Sequence, residues 1–143
     1  MAGRQVFVRR GIDDAPQADV ITDVGMLAYW AVTALMALGL LALPPDWLFK
    51  EYDDPRVVAW NWSFLPIDLA FSLSGLWALH REQARAKDWK IWATVSLTLT
   101  FCAGMMTISY WTLNGDFDPA WWLPNLFLTL WPLPFIFSLA RTS

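Results

Sequence analysis

Four apolar runs, each about as long as a bilayer is thick, constrain this chain more than anything else in it. They fall at about Val24–Leu43, Trp60–Leu79, Ile91–Leu113 and Trp121–Ala140. A helix needs ~20 consecutive apolar residues to cross hydrocarbon. Lipid offers the backbone no hydrogen bonds, so a spanning segment pairs its own amides as a helix or joins a closed barrel. Runs of this length predict helices. The chain is 57% hydrophobic and 16% charged, against about 45–50% and about 25% in ordinary soluble domains. The expectation is an all-α, integral membrane four-helix bundle. Residues 1–20 form a polar leader and residues 21–143 the membrane domain.

Charge sets the orientation and removes several functions. Arg4, Arg9, Arg10, Arg81, Arg85, Lys87, Lys90 and Arg141 fall in the leader, the second loop and the C-terminus. The opposite side has Lys50 and Arg56 alone. Lys and Arg favour the cytoplasmic side, so both termini are expected there. Arg9-Arg10 is followed by Gly-Ile-Asp-Asp rather than an apolar stretch, so no cleaved targeting peptide is expected. A net charge of −3 provides no basic stripe, and no nucleic-acid partner is expected. With Cys102 and His80 the sole residues of their kinds, a metal site, a paired-thiol centre and a cofactor are not expected either. No Ser has a His or Cys partner and no glycine-rich phosphate loop occurs, so the reading leans away from an enzyme.

The second run carries the odd residue. Asp68 lies eight residues past Trp60, roughly 12 Å deeper at about 1.5 Å per residue. A carboxyl there costs about 2.5–3.5 kcal/mol on insertion scales and normally faces a partner, a cavity or an ion path. Asn61, Asp68, Ser72 and Gly75 share one helix face. Ser96, Thr100, Ala103, Thr107, Tyr110 and Asn114 form a matching stripe on the third run, where small and hydroxylated residues let membrane helices approach. By depth, Thr107, Tyr110 and Asn125 are the expected partners of Asp68. Asp23 stands at the cytoplasmic end of the first run, where an early acid suits the helix dipole.

Tryptophans and prolines complete the pattern. Trp47, Trp60, Trp62, Trp111, Trp121 and Trp122 gather at the outer interface, and Trp77, Trp89 and Trp92 at the inner one, as interfacial belts do. The outer group is dense enough to line a cavity mouth. Pro66 and Pro124 fall early in their runs, whereas Pro132 and Pro134 fall deep enough to distort the fourth helix. Asp54-Pro55 before Trp60 and Asp118-Pro119 before Trp121-Trp122 make a weak internal echo.

The segments Ile21-Thr22-Asp23-Val24-Gly25, Asp46-Trp47-Leu48-Phe49-Lys50, Ala59 to Asp68, Gly115-Asp116-Phe117-Asp118 and Trp121-Trp122-Leu123-Pro124-Asn125 resemble the YvaD-like family. These are small bacterial four-helix membrane proteins of unassigned function. The resemblance implies a multi-pass protein of the bacterial inner membrane. A looser architectural resemblance is to the EXPERA group of emopamil-binding isomerases and the sigma-2 receptor. That likeness implies Asp23 and Asp68 beside a lipid-accessible cavity for a sterol-like or amine ligand.

The expected function is binding of a small apolar or amphipathic ligand within the membrane, with Asp68 as polar anchor. Asn61, Ser72, Thr107, Tyr110, Asn125 and Asp23 would assist, and Trp60, Trp62 and Trp122 would form an aromatic wall. Membrane lipid is the expected environment, and a homo-oligomer is compatible with it. The alternatives are a proton-linked transporter, a structural or assembly subunit, and an isomerase of a sterol- or isoprenoid-like lipid.

Overall fold

A computed structural model of the chain describes residues 15–141. The leader residues Arg4, Arg9, Arg10, Asp13 and Asp14 lie outside the described residues. Within them the regular structure is helical: α1 (Ala15–Ala37), α2 (Pro55–Ser63), α3 (Leu65–Gln83), α4 (Trp89–Leu113), α5 (Pro119–Leu130) and α6 (Pro132–Ala140), with one 3-10 turn at Pro45–Trp47. Four segments are long and apolar enough to cross a membrane: Asp19–Ala37, Pro55–Gln83, Trp89–Leu113 and Pro119–Ala140. The all-α, four-span expectation holds.

The first span sits further toward the N-terminus than the apolar run suggested. Helix α1 stops at Ala37 rather than near Leu43 because Gly39 adopts φ +70°, a conformation that costs glycine little. Leu40 N–H then reaches the Leu35 carbonyl at 2.9 Å, and Gly39 N–H reaches that of Met36 at 2.9 Å. This is the paired Schellman ending of a helix. At its other end α1 already begins at Ala15, so Asp19 and Asp23 belong to the helix. Asp23 is therefore well past the first turn, and the dipole reading of this residue gives way.

Proline divides the second and fourth spans. Pro66 has no N–H to offer the preceding turn. Phe64 N–H bonds the Asn61 carbonyl at 3.1 Å, and the ladder resumes with Asp68 N–H on the Phe64 carbonyl at 2.9 Å. The fourth span breaks at Trp131, just before Pro132, with Trp131 N–H still on the Phe127 carbonyl at 3.0 Å, whereas Pro124 is accommodated inside α5. The echo has a structural counterpart: Asp54 and Asp118 both cap a helix whose first residue is proline. Their side chains accept from Arg56 N–H at 2.8 Å and Ala120 N–H at 3.0 Å, the arrangement that satisfies an orphan amide.

Helix α3 packs between α1 and α4, and α4 packs in turn against α5 and α6. The buried residues of α4 are Ala93, Ser96, Leu97, Thr100, Ala103, Gly104 and Trp111. The expected stripe is buried at Ser96, Thr100 and Ala103, whereas Thr107 and Tyr110 are half-buried and Asn114 is exposed. One apolar cluster joins Ala78, Ala93, Leu97 and Leu139. The other joins Trp30, Phe64, Phe71 and Ala103. The start of α1 meets α4 through Asp19 and Ser96, and Leu139 near the end of α6 meets Ala93 near the start of α4. The beginning and end of the described chain therefore lie at one end of the bundle. At the opposite end Lys50 pairs with Asp116, and with Asp118 at 3.5 Å, which ties the first loop to the third.

Candidate functional site: a cleft between the first and fourth spans

Because α1 and α5 flank the α3–α4 pair without packing extensively on each other, a cavity of about 520 Å³ remains between them. Met26, Tyr29 and Trp30 line it from α1, and Trp60, Asn61, Phe64 and Asp68 from the second span. Ala103, Thr107 and Trp111 line it from α4, and Trp121, Pro124, Asn125 and Phe127 from α5. Leu48, Phe49 and Lys50 of the first loop reach its mouth. The proline break at Phe64 lies beside this space, with Asn61 just before it and Asp68 just after it.

Two polar groups stand in the apolar wall. Asp68 is 5% exposed, and its Oδ2 accepts a hydrogen bond from Trp30 Nε1 at 2.9 Å. Asn61 is 9% exposed, and its Oδ1 accepts from the Tyr29 hydroxyl at 3.1 Å. The Asn61 Nδ2 group is buried with no hydrogen-bond partner. A carboxyl and an unused amide donor thus stand on one wall, both tied to α1.

At the mouth, Lys50 is held by Asp116 and lies 5.9 Å from the Trp111 ring centre. The hydrogen bond to Asp116 lifts the Lys50 ammonium above its ordinary range and holds the Asp116 carboxyl below its own.

Among the expected site residues, Asp68, Asn61, Trp60, Thr107 and Asn125 all line this cavity. The Asp68 partner is nevertheless Trp30. Thr107 Oγ1 donates to the Ala103 carbonyl at 3.1 Å, and Asn125 Nδ2 donates to the Trp121 carbonyl at 2.8 Å, so the Thr107 hydroxyl proton and one of the two Asn125 amide hydrogens are used within their own helices. Tyr110 stacks behind the wall on Trp60, ring centres 4.2 Å apart. Trp62 packs on Trp30 at 5.4 Å, and Trp122 Nε1 donates to the Asp116 carbonyl at 2.8 Å. Ser72 and Asp23 are fully buried and do not line the cavity. Trp30 and Lys50 were missed because an indole and a loop lysine in such a chain read as interfacial anchors. Among the described residues no group of three or more His, Cys, Asp or Glu is placed to hold a metal ion.

A profile for a family of unknown function, DUF5360, matches residues 17–143. The chain belongs to the DUF5360 family. The uncharacterized protein YvaD of Bacillus subtilis (strain 168) is 41% identical over 122 residues, 85% of this chain and 88% of that protein. The YvaD-like resemblance is therefore established over most of the chain. No solved structure matches, and neither sequence comparison carries the EXPERA likeness. The DUF5360 match includes every residue lining the cavity.

Proposed function

We propose that this DUF5360 protein is a membrane-embedded receptor or carrier for a small apolar or amphipathic molecule, bound in the cleft between its first and fourth spans. The observation that carries the reading is Asn61 Nδ2, a buried donor without a partner on a cavity wall it shares with Asp68. Leaving such a donor unpaired costs about 1–3 kcal/mol. A ligand bearing an acceptor oxygen or nitrogen would recover it once the Asn61 amide turns toward the cavity, while its apolar body lies against Trp60, Phe64 and Phe127. A volume near 520 Å³ suits a small molecule, since ligand pockets run from about 300 to 1,000 Å³ and pair apolar walls with few polar groups.

Arg81, Arg85, Lys87, Lys90 and Arg141 lie at the end of the bundle that holds both described chain ends, and Lys50 and Arg56 at the other. That end is read as cytoplasmic in a bacterial cell membrane. The cavity mouth would then face outward.

Native mass spectrometry of gently extracted protein tests the proposal. Wild type should carry a specific lipid or metabolite, and Asp68→Asn and Asn61→Leu should lose it while keeping their helical circular dichroism. The asparagine oxygen still accepts from Trp30, so Asp68→Asn should fold. If wild type carries no specific mass and Asp68→Asn only dissociates an oligomer, the cavity is not a binding site.

A further inference from the structure

A second polar cluster lies in the α1–α3–α4 interface, away from the cavity. Asp19 and Asp23 stand one turn apart on α1 and are both buried. Ser96 Oγ is 2.8 Å from Asp19 Oδ2 and 2.9 Å from the Phe71 carbonyl oxygen, and its single proton serves one of them at a time. The Asp23 carboxyl lies over Gly75. A Cβ added to that glycine would come within 2.8 Å of both Asp23 Cγ and Ser96 Oγ, so any side chain at position 75 would occupy the point where they meet. Both Asp23 oxygens, Asp19 Oδ1 and Ser72 Oγ are buried with no hydrogen-bond partner. Ser72 is on the α1-facing side of α3, between the Trp30–Asp68 contact and the Asp23–Gly75 contact.

We infer that Asp19, Asp23, Ser72 and Ser96 form a binding site for a small monovalent cation, sodium or a proton, enclosed within the bundle. Buried polar groups are paired in roughly 90% or more of cases, yet four oxygens here are not. Two neighbouring carboxyls in a medium of low polarity repel each other and strongly favour a cation between them. The donor set is all oxygen, which suits a hard cation or a proton rather than a soft transition metal.

The surrounding charged groups are accounted for. On α3, Asp68 is bonded to Trp30 and Arg81 to Asp88. Lys90 stands at the start of α4. The Lys50 and Arg81 ion pairs do not include Asp19 or Asp23.

Thermal unfolding of the full-length chain in detergent, followed by tryptophan fluorescence, tests this site. Sodium is titrated against choline at fixed pH, and pH is varied without sodium. A sodium site raises Tm saturably, on the order of 5 °C at saturation, and Asp23→Asn abolishes the rise. A proton site raises Tm as pH falls, ignores sodium, and loses that component in Asp23→Asn. Ser72→Ala separates the two arms. It should weaken sodium binding about tenfold, equivalent to losing one ligand interaction, and leave the proton response alone. If Asp23→Asn fails to fold, Asp19→Asn takes its place. The inference is overturned if wild type responds to neither cation, or if the carboxamide variants respond as wild type does.

Discussion

The indole of Trp30 donates to Asp68 while its ring packs against Tyr29 and Trp62. Replacing it with phenylalanine keeps most of the packing and removes the donor. Trp30→Phe should then destabilise the protein by about 1–3 kcal/mol, the cost of leaving a buried polar group unpaired, measured by unfolding in mild detergent. The double variant Trp30→Phe/Asp68→Leu should lose less than the sum of the two single changes, because it removes both polar partners together. Asp68 was legible in the sequence because a carboxyl is conspicuous in an apolar run. Trp30 was not, because a tryptophan in such a run has nothing to mark it as a donor to a buried acid. Asp19 was hidden differently: it sits beside the leader acids, and only its spacing with Asp23, Met26, Trp30 and Thr33 puts it on the face that α3 covers.

On the fourth-span side, α4 and α5 come close together at Gly104. A Cβ there would lie 2.8 Å from Thr129 N and 2.9 Å from the Asn125 carbonyl oxygen. These are backbone atoms, so no rotamer change relieves the contact, and Gly104→Ala should push α5 outward. The expected loss is about 1–3 kcal/mol, typical of overpacking, with a lower thermal midpoint as readout. Gly104→Ser should be no milder. Helix existence was legible from hydropathy, and the Asp-Pro caps of α2 and α5 from their dipeptides. Helix limits were less so. Gly39 ends α1 inside an unbroken apolar run, and hydropathy averages over one glycine whose effect is conformational. Pro66 and Pro132 fall at breaks while Pro124 does not, a distinction that depends on how each exposed carbonyl is accommodated.

At the scale of the molecule, Lys50 fastens the first loop to the third across the cavity mouth. Asp116 is held below its ordinary range by Lys50, so the fastening is present above the carboxylate range and is lost as pH falls through the lowered Asp116 value. The Lys50 value is raised, so its contribution is present below the ordinary lysine range and is lost as pH climbs through the raised value. Hydrogen-exchange protection in residues 46–54 and 114–118, taken relative to the free-amide rate at each pH, should therefore fall at both extremes, and Asp116→Asn should lose it at neutral pH as well. Span number and membrane class were readable from the sequence, but helix neighbours were not, since four apolar runs of similar length fit several arrangements. In the one adopted, α1 and α5 stay apart. Ile21 and Phe127, at the cavity rim, are 82% and 57% exposed on the apolar flank of the bundle. In the proposed function the opening would give sideways onto acyl chains as well as toward the loops. For a guest arriving that way, occupancy follows its mole fraction in the leaflet rather than its aqueous concentration, and a sparingly soluble compound that partitions strongly can fill the cleft from a dilute medium.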